Sequence, residues 1–305
     1  MASVSPDPPR PLVEFERAFW RSVELQWGTY VAIQRLNGYE ARREWRSLLR
    51  KIPNQRRLEH FGRKIYSQND EDGIIAEILR RLNATPKSGK FVEVGVGRGL
   101  ECNTHFLLHR GFSGLWLESS KAHVAEIQER FRAPLRSGHL GLKQALVTAE
   151  NINQLLAPEC EAESAFLLSI DIDGNDFWLW KAIGVISPAV VVIEYNAKFP
   201  PPISIAQPYR PDLVWRGTDY FGASITAMVR LAETKGYNLV ACSITGVNAF
   251  FVRKDLVASH FPYDLTAENL YHPCRYYLTD DCFRVCGHPT DFGPYVTVGH
   301  DLSEL

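Results

Sequence analysis

The segment Phe91-Val92-Glu93-Val94-Gly95-Val96-Gly97-Arg98-Gly99 constrains this chain more than any other. It reads as a buried strand that ends in a tight glycine turn and then opens a helix. Glycine accepts left-handed dihedrals and places no side chain in front of a ligand, so the G-x-G-x-G turn lets a ligand meet bare backbone. The spacing predicts a helix from 101 to 110, with its amide-rich end facing whatever the turn holds.

Around this unit, strands and helices alternate from about residue 65. A loop and cap, Ser67-Gln68-Asn69-Asp70-Glu71-Asp72, precedes a helix at 73–82. Strands follow at 90–95, 114–118, 142–148 and 165–170, with helices at 121–131 and 175–183 between them. Residues 190–194, Val-Val-Val-Ile-Glu, form the β-branched run expected of a strand buried on both faces. A proline-rich loop at 199–211 leads to a helix ending at Gly236. The segments 237–243 and 249–253 are then joined by Ile244-Thr245-Gly246-Val247-Asn248, a connection short enough for an antiparallel hairpin. The pattern predicts an α/β fold: a doubly wound parallel sheet with a terminal antiparallel hairpin.

Upstream of it, residues 1–11 carry four prolines and read as a disordered leader. Phe15, Phe19, Val23, Trp27 and Val31 recur at helical spacing until Gly38, and Trp45, Leu48, Leu49 and Ile52 mark a second helix that stops at Pro53. This divides the chain into a leader and helical extension (1–64), a main domain (65–260) and a C-terminal tail packing on that domain (261–305). The helical extension is expected to pack on the main domain or on a second copy, as a homodimer. The basic residues Arg35, Arg42, Arg43, Arg46, Arg50, Lys51, Arg56 and Arg57 fit the solvated face of a helix.

Composition excludes several classes. A formal net charge of -1 over 305 residues gives no long-range attraction to nucleic acid or an anionic membrane. No apolar run approaches the roughly 20 residues that span a bilayer. The N-terminus lacks the basic-then-apolar plan of a signal peptide, and six cysteines in so long a chain are no disulfide scaffold. The expectation is a cytoplasmic protein acting on a small molecule.

The dinucleotide fingerprint G-x-G-x-x-G/A would need a small residue at 100, where Leu100 stands, and the third glycine comes early at Gly99. Glu93 has no role in that version, but its carboxylate suits a cationic group such as an amino-acid ammonium. Glu118, at the end of the next strand, suits ribose hydroxyls in either class of cofactor. These features resemble the class I S-adenosylmethionine-dependent methyltransferases. Ser67-Gln68-Asn69-Asp70-Glu71-Asp72-Gly73, the glycine motif with Glu101-Cys102-Asn103, and Ser169-Ile170-Asp171-Ile172-Asp173-Gly174-Asn175-Asp176 resemble the FkbM-type group over about residues 65–255.

The resemblance implies that the α/β fold is a doubly wound Rossmann-like seven-stranded sheet with the terminal antiparallel hairpin, plus the N-terminal helical extension, and that S-adenosylmethionine is bound at the C-terminal strand ends. Glu93, Gly95 and Gly97 would contact its methionine part, Glu118 its ribose and Glu150 its adenine, while Gln68 and Asp72 close over it. Asp72 could instead cap the following helix, and Glu150 could be a first-turn residue before Ile152.

Ligands of open parallel sheets bind beyond the carboxyl ends of the strands, where Asp171, Asp173, Asp176, Glu194 and Asn196 fall. Asp171, Glu194 and Asn196 converging on one point would suit a hard cation such as Mg²⁺, which could acidify and orient a substrate hydroxyl, with Asp171 the catalytic candidate. Otherwise Asp171 hydrogen-bonds cofactor or backbone, and Asp173 and Asp176 cap a helix. The long loop at 199–220, with Tyr209, Trp215 and Tyr220, reads as a substrate lid or a subunit contact. His272, Cys274, Cys282, Cys286 and His288 match no common zinc spacing, and buried free thiols are the default. The activity expected is methyl transfer to oxygen of a small metabolite or natural-product intermediate. An NAD-dependent oxidoreductase and a non-catalytic cofactor-binding partner subunit are the alternatives.

Overall fold

The structure is a computed structural model that describes residues 10–158, 165–279 and 287–302; the side chains of 10–17 are not described. Residues 1–9 of the expected leader therefore lie outside the described residues.

The chain divides into two compact units, Met1–Leu48 and Leu49–Leu305. In the first, α1 (Arg10–Arg50) is a single helix of 41 residues. It runs through Gly38, where two helices were expected. One glycine in a helix costs only about 1 kcal/mol against alanine, less than the helix formers on either side return. Trp20, Trp27 and Leu36 of this unit are exposed. No helix among the described residues is long and apolar enough to cross a membrane.

The second unit opens with α2 (Glu71–Arg81) and β1 (Lys90–Val94). Next come α3 (His105–His109), β2 (Gly114–Glu118), α4 (Lys121–Arg130), α5 (Arg132–Arg136) and β3 (Leu140–Gln144). These are followed by α6 (Ile152–Leu156), β4 (Ala165–Ile170), α7 (Asp176–Ala182), β5 (Val190–Glu194) and the short β6 (Ile205–Ala206). The chain closes with α8 (Ile225–Lys235), β7 (Tyr237–Cys242), β8 (Asn248–Arg253), α9 (Ala267–Leu270) and β9 (Val296–Thr297).

Seven strands form one sheet in the order β3-β2-β1-β4-β5-β8-β7. β3 through β5 pair in parallel, and the β7–β8 hairpin joins antiparallel to β5. This is the expected Rossmann-like α/β sheet with its terminal hairpin.

The central strands β1, β2, β4 and β5 alternate between two apolar layers. Val92, Val94, Leu115, Leu117, Leu168, Ile170, Val191 and Ile193 pack on one face with α6, α7 and α8. Phe91, Trp116, Leu167, Val190 and Val192 pack on the other with α2. Burial on both faces explains why β5 reads as an unbroken apolar run rather than an alternation. The carboxyl ends of β1, β2, β4 and β5 open together at one edge, and the polar residues of interest gather there.

Candidate active site

The carboxyl edge opens into a cavity of about 1140 Å³, walled by the glycine turn, the ends of β2, β4 and β5, the 145–147 segment, the β7–β8 turn and the 211–215 loop.

Glu93 is only 1% exposed and does not face this cavity with a free carboxylate. Its Oε1 accepts from the Asn103 amide at 2.8 Å and Ser169 Oγ at 3.3 Å; its Oε2 accepts from the Thr104 amide at 2.9 Å and Thr104 Oγ1 at 2.5 Å. Trp116 Nε1 donates to the same Thr104 hydroxyl at 2.8 Å. Burial raises the Glu93 pKa against the pull of these Thr104 and Asn103 donors. These four donors all belong to the chain, and Glu93 also contributes to the cavity wall. The helix expected from 101 begins only at His105 for the same reason, because the amides of 103 and 104 turn towards Glu93 and not towards the cavity.

The two glycines named with Glu93 differ. At Gly95, with φ +86°, a Cβ would overlap the Asp171 carbonyl oxygen, so this glycine lets β1 pass the end of β4. At Gly97, with φ +54°, a Cβ would meet nothing within 4 Å; this is where the wall is open to a ligand. The Gly97 amide donates to Glu118 Oε2 at 2.8 Å, and the Ser120 amide donates to Oε1 at 2.8 Å. His123 Nδ1 stands 3.5 Å from the same Oε1. A carboxylate has about four acceptor sites, so Glu118 keeps capacity for hydroxyls on its cavity side.

Asp72 neither caps α2 nor offers both oxygens to a ligand. Its Oδ2 collects the amides of Ile65, Tyr66 and Ser67 at 2.7, 2.6 and 2.8 Å, and Ser67 Oγ at 3.0 Å. It thereby fixes the loop that carries exposed Gln68 into the cavity wall; Asp72 Oδ1 is buried without a partner. Glu150 is exposed and absent from the wall. Its Oε2 accepts from the Tyr209 hydroxyl at 2.6 Å, so the expected adenine contact is corrected. Ser119, His123, Ala145, Leu146 and Val147 line that end instead.

At the far end, Asp171, Asp173 and Glu194 present carboxylate oxygens within 4.8 Å of one another. Burial pushes Asp171 and Glu194 well above the usual carboxylate range, and their neighbours' negative charge adds to it; burial also raises Asp173. Glu194 is 9% exposed and its Oε2 has no partner. A buried, unpartnered carboxylate oxygen beside two more carboxylates fits a cation, which would relieve both the desolvation and the like-charge repulsion.

Asn196, expected as the third ligand, is corrected. Its Nδ2 donates to the carbonyls of Asp219 and Phe221, both at 2.9 Å, and its Oδ1 accepts from the Lys198 amide at 3.0 Å. Asp173 takes the place expected of it, held by a left-handed turn at φ +56°. Asp176 braces that turn through the amides of Ile172 and Gly174 at 2.9 and 2.8 Å.

Of the 199–220 loop aromatics, Trp215 lines the cavity, whereas Tyr209 pairs with Glu150 and the Tyr220 hydroxyl donates to the Pro294 carbonyl at 2.7 Å. Tyr276 and His288 join Trp215 in the wall; Tyr276 carried no motif in the sequence, and His288 stood out there only as a member of the cysteine-histidine group. Their rings pack together, His288 lying 4.6 Å from Trp215 and 5.1 Å from Tyr276. His272 Nε2 instead lies 3.2 Å from Glu59, which also pairs with Arg57. Arg57 is thus buried and not on a solvated face. Cys282 and Cys286 of the cysteine-histidine group lie outside the described residues.

No protein-family model matches the sequence, and no curated protein matches it. Among solved structures, a putative sarcosine dimethylglycine methyltransferase from Galdieria sulphuraria aligns at TM-score 0.37 and 15% identity, over 54% of this chain and 59% of that one. The chain therefore spans just under three fifths of that relative. The glycopeptide N-methyltransferase MtfA, complexed with (S)-adenosyl-L-methionine, aligns at 0.35 and 16% over 54% and 82%. An O-methyltransferase family protein from Burkholderia thailandensis aligns at 0.40 and 12% over 59% and 54%. The Rossmann-like fold itself stands on the strand order of this chain.

Proposed function

We propose that this chain is an S-adenosylmethionine-dependent methyltransferase of the FkbM type, acting on an oxygen of a small metabolite or natural-product intermediate. The observation that carries the reading is the pairing of Gly97 with Glu118: an open left-handed glycine whose amide is fixed on a carboxylate at the end of the neighbouring strand. That arrangement presents ribose acceptors beside bare backbone. The 145–147 segment supplies an apolar wall for a base through Leu146 and Val147.

The cofactor supplies an electrophilic methyl group on a sulfonium, so the chain's task is to position the acceptor and exclude water. Asp171, Asp173 and Glu194 would hold a divalent cation such as Mg²⁺, which would lower the pKa of a bound hydroxyl. Without it, Asp171 and Glu194, raised in pKa by burial and by each other's charge, hold a proton and can donate a hydrogen bond to the acceptor oxygen. Trp215 and Tyr276 form an aromatic wall against the acceptor.

Thermal shift tests the cofactor. S-adenosylhomocysteine should raise the melting temperature and NAD⁺ should not, since a ligand of the native state stabilises it by mass action. Glu118→Ala should abolish the shift; stabilisation by NAD⁺ alone overturns the reading. The cation is tested by calorimetric titration. Mg²⁺ or Mn²⁺ should bind the wild type and lose roughly tenfold or more in affinity with Glu194→Gln. No heat in the wild type removes metal assistance.

A further inference from the structure

The amino-acid end of the proposed cofactor needs a partner for its negative group as well as for its ammonium. That end carries a carboxylate, and a carboxylate taken into a cavity requires a donor or a cation. Two fixed cations, Lys64 and Arg98, contribute to the cavity wall among the described residues. Arg98 Nε lies 3.6 Å from Glu126 on α4, the helix that also carries His123 beside Glu118, so it belongs to the ribose side.

Lys64 stands beside the segment that follows the glycine turn, with Nζ 3.4 Å from Glu101 Oε1. Both members of that ion pair are well exposed, 40% and 63% of their side chains, so it contributes little and yields readily to a ligand. The backbone around Lys64 is anchored on both sides. The Arg63 amide donates to the Asp70 carbonyl at 3.2 Å, the Gly73 amide donates to the Arg63 carbonyl at 3.1 Å, and the Ile65 amide donates to Asp72 Oδ2 at 2.7 Å. The Lys64 ammonium thus stands on an anchored backbone at the cavity wall, beside Glu101.

We propose that Lys64 binds the carboxylate at the amino-acid end of the cofactor, leaving Glu101 to do so. The assignment rests on the cofactor reading above and adds the residue that recognises its amino-acid moiety. It explains why the acidic motif residue Asp72 is spent on the 65–67 amides: the clasp fixes the stretch on which Lys64 stands.

The test compares two probes, S-adenosylhomocysteine and 5′-methylthioadenosine, which share the adenosine and differ in the amino-acid end. By calorimetry, Lys64→Gln should lose about tenfold in affinity for S-adenosylhomocysteine and stay within about twofold for 5′-methylthioadenosine, as loss of one charge-assisted contact requires. Lys64→Arg should restore most of the lost affinity. Equal affinity of Lys64→Gln and wild type for S-adenosylhomocysteine, or an equal fall for both probes, overturns the assignment. Failure of the wild type to bind either probe overturns the cofactor reading itself. That failure is read in the wild type alone, whereas the Lys64 assignment is read in the ratio between variant and wild type.

Discussion

At the scale of single residues, two glycines of one motif do different work, and substitution separates them. Gly95→Ala places a methyl against the Asp171 carbonyl and forces a left-handed residue, costing about 3 kcal/mol from strain and overpacking together. Gly97→Ala meets no neighbour, so its cost is the left-handed strain of roughly 1 kcal/mol. Its methyl, however, stands where the ligand must approach. Urea denaturation should therefore show a large loss for Gly95→Ala and a small one for Gly97→Ala. Binding of S-adenosylhomocysteine should fail in Gly97→Ala even though the protein remains folded. The opposite ranking of stabilities would refute the division of roles.

At the scale of elements, the sheet was legible because its signals are local. The β-branched run at 190–194 became β5 with those bounds, and the hairpin connection expected at 244–248 falls one residue earlier, at 243–247. The late start of α3 was not legible, because it depends on a tertiary acceptor. Glu93 lies opposite Trp116 and Ser169 in the parallel register, on a face that α2 covers, and draws in the amides of 103 and 104. The alternation Phe91, Glu93 does place Glu93 on the same face as a buried aromatic. What the sequence lacked was the identity of the donors waiting there.

Asp173 is a related case. Its residue type marked it, but only the left-handed turn braced by Asp176 brings its carboxylate to Asp171 and Glu194. Asn196, one residue beyond the end of β5 as a ligand would be, is taken by the carbonyls of a loop that returns more than 20 residues later. The aromatic wall of Tyr276 and His288 comes from segments far along the chain and carries no periodic signal at all.

At the scale of the whole molecule, buried acids set the response to pH. Asp70 has no exposed surface and is pushed up to about 8 by burial and by the charge of Glu71 beside it. Its Oδ2 accepts from the Ile244 amide at 3.1 Å, tying the start of α2 to the hairpin turn that borders the cavity. Burial lifts Asp176 to about 6, and Asp171 and Glu194 higher than the usual range. Glu59 runs the other way: burial opposes it, but hydrogen bonds from His272 and Arg57 hold it at about 2.

Each raised acid keeps its proton in the native state at pH values where the unfolded chain has lost it. Its stabilising contribution is whole below the unfolded pKa near 4 and disappears as pH rises through the folded value, so stability should fall between about pH 4 and pH 8. The Glu59 contribution is present above about pH 4 and is lost only as pH drops towards 2, which places the optimum near pH 4–5. One group shifted as far as Asp70 changes stability by about 1 kcal/mol per pH unit inside the window. Urea midpoints should therefore be higher at pH 5 than at pH 8. Asp70→Asn, which keeps an acceptor for the Ile244 amide and cannot ionise, should make that decline shallower. A profile that is flat or rises from pH 5 to pH 8 would show that these carboxylates ionise freely in the folded chain. A cation at the Asp171, Asp173 and Glu194 cluster removes part of the same repulsion, so Mg²⁺ should raise the midpoint more at pH 8 than at pH 6, and Glu194→Gln should erase that difference.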